Sequence, residues 1–191
     1  MEDCRQHQVE HLVYVSSANV YGGNTSLPFN EHQNIDHPIS LYVATKKANE
    51  LMAYTYSHLF RLPTTGLRFF TIYGPWGRRG MALFLFTRAM LEGRAIDVFN
   101  HGRIIRDFSY IDDIVEGVRV LDKSAESDTA FDASHLDPAT SHAPYRIFNM
   151  GNSQPVRILD CISILENVIG IVAKKNFLPM QLGNNLKAAM N

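Results

Sequence analysis

The chain has 191 residues, 46% of them hydrophobic and 19% charged, so a folded domain with a buried core is expected rather than a disordered segment. Its formal net charge is −1 and no block of lysine or arginine stands out, which argues against nucleic-acid binding. Cys4 and Cys161 are too few for a disulfide framework, and no apolar run reaches the roughly 20 residues that cross a bilayer. The histidines are scattered, so we expect no metal site. The few cysteines and the short apolar runs lead us to expect a cytoplasmic protein with no membrane partner.

The first 70 residues predict a strand, a helix and a second strand. Residues 11–16 form a short, β-rich apolar run. Ser40 is suited to cap a helix that continues to about Phe60, and residues 64–70 have the composition of another strand. Strands joined by a helix pair in parallel, which predicts a crossover unit.

Shorter elements follow. Asn100-His101-Gly102 lies between two short apolar runs and predicts a β-hairpin. A turn cluster is predicted at residues 73–77 and a strand at 145–150. Helices are predicted at residues 82–92, 110–122 and 156–169.

Tyr42 and Lys46 are four residues apart and share one face of the predicted helix. A phenol ionises near pH 10 in water and is a poor base, but a neighbouring ammonium stabilises the phenolate. Ser17, at the end of the upstream strand, would hydrogen-bond the same substrate oxygen. The set suits removal of a proton from an alcohol or sugar hydroxyl while hydride leaves the same carbon. The alternative is that Tyr42 is an ordinary helix-start aromatic and Lys46 a solvated charge.

Four segments of the sequence occur in one order: Ser16-Ser17-Ala18-Asn19-Val20-Tyr21-Gly22, Tyr42-x-x-x-Lys46, Leu67-Arg68-Phe69-Phe70-Thr71-Ile72-Tyr73-Gly74-Pro75 and Arg106-Asp107-Phe108-Ser109-Tyr110-Ile111-Asp112-Asp113. Together they resemble the extended short-chain dehydrogenase/reductase family, specifically its NAD-dependent sugar-nucleotide epimerases and dehydratases. Two further segments, Gly74-Pro75-Trp76-Gly77-Arg78 and Asp97-Val98-Phe99-Asn100-His101-Gly102, favour the UDP-glucuronate 4-epimerase branch. The resemblance extends from about His11 to Gly183.

The resemblance implies a C4 epimerisation that uses NAD. The base takes the proton of the sugar 4-hydroxyl as hydride leaves C4, the 4-keto sugar turns over, and hydride returns to the opposite face. A UDP-sugar, most simply UDP-glucuronate, is the implied substrate, and a homodimer is the implied assembly. The implied roles are a catalytic base for Tyr42, a nicotinamide-ribose and phenol contact for Lys46, the catalytic serine for Ser17, the lining of the nicotinamide and sugar pocket for Phe70 and Thr71, a diphosphate contact for Arg106 and a uronate-carboxylate contact for Arg78.

The implied fold class is α/β. Residues 1–74 would form the C-terminal part of a Rossmann-like, doubly wound parallel sheet, and residues 75–183 mainly a small α/β nucleotide-sugar-binding subdomain, interleaved with the first around residues 104–122. Residues 184–191 would be a frayed tail. Family members open with a strand and a Gly-x-x-Gly-x-x-Gly loop, and this chain does not. We therefore expect the N-terminal dinucleotide-binding half to be absent and the isolated fragment to be inactive.

Two alternatives stay open. A sugar-nucleotide 4,6-dehydratase or reductase of the same family is one, although a dehydratase needs an Asp-Glu pair after the catalytic Ser/Thr, where this chain has Ala18-Asn19. The other is a truncated, non-catalytic binding or dimerisation module.

Overall fold

The computed structural model describes residues 1–121 and 125–180, together with the backbone of one strand at 187–188. Two 3₁₀ helices, Ala18–Tyr21 and Phe99–Gly102, accompany the regular elements. The helices are α1 (Glu2–Gln6), α2 (Leu41–Phe60), α3 (Ala82–Leu91), α4 (Ile111–Arg119) and α5 (Ile158–Ile169). The strands are β1 (Leu12–Ser17), β2 (Thr64–Phe69), β3 (Thr71–Tyr73), β4 (Ile96–Val98), β5 (Ile105–Tyr110), β6 (Tyr145–Met150), β7 (Pro155–Arg157), β8 (Lys175–Phe177) and β9 (Lys187–Ala188).

The main sheet is parallel, in the order β1-β2-β6. Helix α2 connects β1 to β2, so the predicted parallel crossover is confirmed. The register brings Ser17, Phe69 and Met150 to one level at the C-terminal ends of the three strands. Catalytic residues on α/β sheets are commonly carried at this edge, which makes it the first place to look for a site.

The close pairing of β1 and β2 depends on a glycine. The phenol of Tyr14 lies across Gly66, and a Cβ at Gly66 would lie 2.5 Å from the Tyr14 hydroxyl oxygen. Only the absence of a side chain lets the aromatic ring cover this part of β2.

Strands β3, β5, β7 and β9 form the second sheet, in which β5 pairs in parallel with β3 and β9 and antiparallel with β7. The hairpin predicted around Asn100 is wrong, because β4 pairs in parallel with β8 instead of with β5. Asn100 and His101 do adopt left-handed conformations, with φ of 51° and 48°, but inside a 3₁₀ helix that redirects the chain. Asn100 and His101 therefore turn the chain as predicted, but the turn does not join two paired strands.

Separate apolar clusters pack against the helices and strands. One lies between α3, α5 and β4 and includes Ile96, Ile158 and Ile162, so α5 contributes two isoleucines to the core. Another packs the 3₁₀ helix after β1 against Phe29 and Phe70. The proposed boundary between residues 1–74 and 75–183 stays a prediction, and the tail predicted over 184–191 lies outside the described residues except for β9. Within the described part of the chain, no helix is both long and apolar enough to span a bilayer.

Candidate active site

Ser17 is the last residue of β1 and caps the 3₁₀ helix that follows. Its Oγ accepts a hydrogen bond from the Asn19 amide at 3.2 Å, and the residue is buried. The preceding strand is rich in β-branched and aromatic residues, which favours an extended chain up to this point. The hydroxyl is therefore fixed at the C-terminal edge of the sheet.

The first turns of α2 bring Tyr42 and Lys46 to the same edge. Ser40 caps the helix by accepting from the Val43 amide at 3.3 Å, which fixes where the helix begins. Lys46 Nζ donates to the Val15 carbonyl oxygen at 3.1 Å and lies 5.9 Å from the centroid of the Tyr42 ring. The structure thus confirms that the ammonium and the phenol share one face, and it adds that the ammonium bridges to the strand that ends in Ser17.

Tyr42 is 52% exposed, so a ligand can reach this residue. In the described part of the chain, β1 pairs with β2 alone, and Val15 beside the Lys46 contact is also 53% exposed. The candidate site therefore lies at an open edge and has no wall on that side formed by described residues.

Phe70 and Thr71 stand where the chain leaves the first sheet and enters the second. The Phe70 amide donates to the Met150 carbonyl oxygen at 3.1 Å, and the Phe70 ring packs in the same apolar cluster as Ala18. Thr71 begins β3 and is half-buried. Both residues lie at the C-terminal edge of the main sheet, as Ser17 does.

The two predicted arginines lie in different surroundings. Arg106 is half-buried on β5, where its Nη1 donates to the Ile105 carbonyl oxygen at 2.9 Å, and burial lowers the pKa of its guanidinium. Arg78 is exposed in the loop between β3 and α3 and contacts Met81 Sδ at 3.7 Å. Arg106 is therefore held in the fold, whereas Arg78 is held only by its loop.

A buried ion pair beneath the site was missed by the sequence analysis. The Arg68 guanidinium donates to both carboxylate oxygens of Glu50, at 2.9 and 3.0 Å, and neither side chain is exposed. A sequence signal existed: an arginine inside the apolar run of β2 needs a buried partner, and Glu50 follows Lys46 by one helical turn.

A second buried carboxylate, Asp107, was also missed. It accepts hydrogen bonds from the backbone amides of Asn152 at 3.1 and 3.2 Å and of Ser153 at 2.9 Å. This contact ties β5, which carries Arg106, to the loop that follows β6. Nothing in the local sequence indicates it, because the partners are backbone amides some 45 residues away.

The spacing Gly-x-x-Gly-x-x-Gly occurs once, at Gly74, Gly77 and Gly80, after β3 and before α3, and the sequence analysis did not use it. In a dinucleotide-binding loop the third glycine is required because helix and strand pack closely there. A Cβ at Gly80 would meet no atom within 4 Å. The spacing therefore lacks the packing that makes it a dinucleotide fingerprint. No group of three or more metal-ligating side chains occurs among the described residues.

Several known proteins are similar to this chain in sequence or in fold. Protein CapI of Staphylococcus aureus is 53% identical over 184 residues, which are 95% of this chain and 55% of CapI. A probable UDP-glucuronate 4-epimerase of Rhizobium meliloti is 45% identical over 177 residues, or 92% of this chain and 52% of that protein. The crystal structure of the UDP-glucuronic acid 4-epimerase from Bacillus cereus, in complex with UDP-glucuronic acid and NAD, is 30% identical with a TM-score of 0.82, and the match covers 100% of this chain and 55% of that one.

The chain thus spans about half the length of the relatives that it matches. The structural match confirms the predicted Rossmann-like α/β fold class. A model of the NAD dependent epimerase/dehydratase family matches residues 1–134. On this match and on these relatives, the chain belongs to the NAD dependent epimerase/dehydratase family.

Proposed function

We propose that this chain supplies the catalytic part of an NAD-dependent UDP-glucuronate 4-epimerase. One observation carries the proposal: Lys46 bridges the Tyr42 ring and the end of the strand that carries Ser17, in a chain whose named relatives include UDP-glucuronate 4-epimerases. Because the chain spans about half of those relatives, activity, substrate and assembly are all part of the proposal.

The residues at the open edge fit a dinucleotide. Tyr42 offers an exposed phenol and Lys46 an ammonium, both suited to the hydroxyls of a ribose, and Phe70, which is buried in the cluster that contains Ala18, lies at the C-terminal edge of the same sheet. When bound there, NAD supplies reversible hydride acceptance at C4 of the sugar. The proposed task of Tyr42 is to take the proton of the 4-hydroxyl, and Lys46 stabilises the phenolate that does so.

The substrate would lie between the sheet edge and the second sheet. We assign Ser17 and Thr71 to the sugar and Arg106 to the diphosphate, a role that suits a fork of guanidinium donors held in a fixed place. Arg78 would contact the uronate carboxylate, and its exposed loop would have to close over the sugar to reach it.

The dehydratase alternative is weaker. An elimination step needs a general acid next to the catalytic serine, and positions 18 and 19 hold Ala18, which is buried, and Asn19. The similarity to a solved dTDP-glucose 4,6-dehydratase, at 19% identity, concerns the fold alone. The free thiols of Cys4 and Cys161 support a reducing compartment, and we place the protein in the cytoplasm, with a role in polysaccharide biosynthesis.

A chimera tests the function. The part of CapI that this chain does not span is fused to the chain in the order found in CapI, and the product is incubated with NAD and UDP-glucuronate or UDP-glucose. We expect NMR to show the C4 epimer of UDP-glucuronate and much slower conversion of UDP-glucose. A 4-keto-6-deoxy product would identify a dehydratase instead. Absence of any product from a folded chimera that binds NAD would favour the non-catalytic binding or dimerisation module.

A further inference from the structure

Three neighbouring strands place polar side chains at one buried level of the main sheet. Ser16 on β1 is opposite Arg68 on β2, and Arg68 is opposite Asn149 on β6. Ser16 and Arg68 are almost completely buried, with exposed fractions of 2% and 0%. Burying a polar group costs free energy unless the group is hydrogen-bonded, so the partners of these side chains show what the polar groups hold together.

Glu50 of α2 is the common partner. Its Oε1 accepts from the Ser16 hydroxyl at 2.6 Å and from Arg68 Nε at 2.9 Å, and its Oε2 accepts from Arg68 Nη2 at 3.0 Å. Burial by itself would lower the pKa of Arg68, but the Glu50 carboxylate outweighs it and holds that pKa above its usual value. The Arg68 guanidinium is therefore held in its charged form.

Arg68 also reaches the segment that follows Ser17. Its Nη1 donates to the Tyr21 hydroxyl at 3.2 Å, and that hydroxyl donates to Asn149 Oδ1 at 2.8 Å. The guanidinium carbon lies 5.0 Å from the centroid of the Tyr21 ring. The ion pair is thus joined to both sides of the serine: to Ser16 before it and to Tyr21 after it.

Lys46 and Glu50 both join α2 to β1. Lys46 and Glu50 are one helical turn apart on the same face, and they hold successive residues of β1: Lys46 binds the Val15 carbonyl and Glu50 binds the Ser16 hydroxyl. Two turns of helix are therefore fixed to the two residues that precede Ser17. A rotation or slide of α2 that moved Lys46 off Val15 would also break the contacts of Glu50.

We infer that Glu50 is a positioning residue for the candidate site, which acts with Arg68 to lock the Tyr42 and Lys46 face of α2 against the end of β1. The role of these contacts in catalysis rests on the proposed function, whereas their role in holding α2 against β1 does not. A buried ion pair is a weak net contributor to stability compared with apolar residues of the same shape, so stability alone does not account for it. The bidentate hydrogen bonds between Arg68 and Glu50 fix the orientation of α2 relative to β2, which the contacts of an apolar pair would not do.

The decisive test measures Lys46 in the chain itself, without substrate or cofactor. Limited acetylation with acetic anhydride is followed by mass spectrometry, and the rate at Lys46 is divided by the rate at Lys174, whose Nζ donates to the Gly93 carbonyl in the other part of the fold. In Glu50→Gln, we expect the ratio to rise about threefold or more, because the lock that holds the ammonium on Val15 is loosened. Ile147→Val, which removes one methyl group from the core cluster between α2 and β6, is the matched control and should leave the ratio unchanged although it lowers stability.

A gentler variant covers the case in which Glu50→Gln does not fold. Ser16→Ala removes only the hydroxyl that joins β1 to Glu50 and leaves the ion pair intact, and it should raise the same ratio by about twofold. An unchanged ratio in the folded variants overturns the inference.

Kinetics separate the inference from the proposed function. In the active chimera, Glu50→Gln should lower kcat about tenfold or more while KM for UDP-glucuronate changes by less than about twofold, because the variant disturbs positioning rather than binding. If the chimera has no activity but the acetylation ratio responds, the proposed function fails and the positioning role stands. A normal kcat with an unchanged ratio removes the positioning role and leaves the function in place.

Discussion

At the scale of single residues, the central pair is Tyr42 and Lys46. The phenol is exposed and the ammonium is tied to a backbone carbonyl, so the two side chains differ in how firmly they are held. Lys46 is fixed in advance, and Tyr42 keeps the freedom to meet a ligand. This division suits a base that must approach a substrate hydroxyl while its charge partner stays in place.

Tyr42→Phe should therefore abolish epimerisation in the chimera. The ring and the helix remain, but the group that takes the proton is lost, and we expect turnover to fall by about a thousandfold. NMR of the sugar products measures the rate, and thermal unfolding should stay within about 3 °C of the parent. Tyr56→Phe is the control, since Tyr56 lies near the far end of the same helix and its hydroxyl donates to Glu2 of α1; a similar loss of activity there would contradict the assignment.

The residues of the site differ in how far the sequence revealed them. The placement of Ser17, Tyr42 and Lys46 at one edge could be predicted, because strand end, helix start and spacing are local features. Glu50 and Arg68 were not found as a pair, because their meeting depends on the register that sets Ser16 opposite Arg68. Register between distant strands is a property of the assembled sheet, and local pattern does not contain it.

At the scale of elements, the start of α2 determines where the phenol is placed. Tyr42 is the second residue of the helix, and the Ser40 cap fixes the first turn through the Val43 amide. The sequence predicted the strand–helix–strand unit almost to the residue, because capping and periodicity are encoded locally. It failed at Asn100, where β4 found its partner in β8, nearly 80 residues further on.

Ser40→Ala should lower the free energy of unfolding by about 1 kcal/mol, because the Val43 amide loses its side-chain acceptor. Urea denaturation followed by circular dichroism measures the change. Thr55→Ala in the same helix, where the hydroxyl bonds only to the Leu51 carbonyl, should cost less than about 0.5 kcal/mol. Equal losses in both variants would show that the cap has no special part.

His11, which directly precedes β1, should make the stability depend on pH. Its Nε2 lies 2.9 Å from Thr65 Oγ1, and burial lowers the pKa of the imidazole in the folded chain. The unfolded chain therefore binds a proton at higher pH than the folded chain does. The stability contribution of neutral His11 is present above about pH 6.5 and declines as the pH falls below this value, until the folded imidazole is also protonated.

In His11→Gln, the urea midpoint should vary less with pH between about pH 7 and pH 5 than it does in the parent chain. His7→Gln, an exposed neighbour before the strand, should leave the slope of the parent intact. The assignment to His11 is wrong if the slope survives in His11→Gln.

At the scale of the whole molecule, the main sheet ends on one side at an open strand. Val13 and Val15 are exposed on β1, and within the described residues that strand has a partner on one side only. An edge of this kind is prone to pair with other chains. The relatives that the chain matches are about twice as long as the chain itself.

The 191-residue chain alone should therefore bind NAD weakly or not at all and should tend to aggregate. Isothermal titration with NAD is expected to show no saturable heat in the micromolar range, whereas the CapI chimera should bind stoichiometrically. Light scattering should show fewer aggregates for the chimera. Clean micromolar, stoichiometric binding by the chain alone would contradict this prediction.

The buried carboxylate of Asp107 has a consequence for how a substrate would be measured. It holds the loop after β6 to the strand that carries Arg106, and the residue before that loop, Met150, binds the Phe70 amide. If Arg106 holds the diphosphate, the anchor for the phosphates and the sheet edge that faces the sugar are then fastened to one backbone turn. On that assignment, the two would be held at a set separation, which would restrict the length of nucleotide sugar that can reach both. The sugar ring would then be free to turn between two held ends, as exposure of both faces of C4 requires.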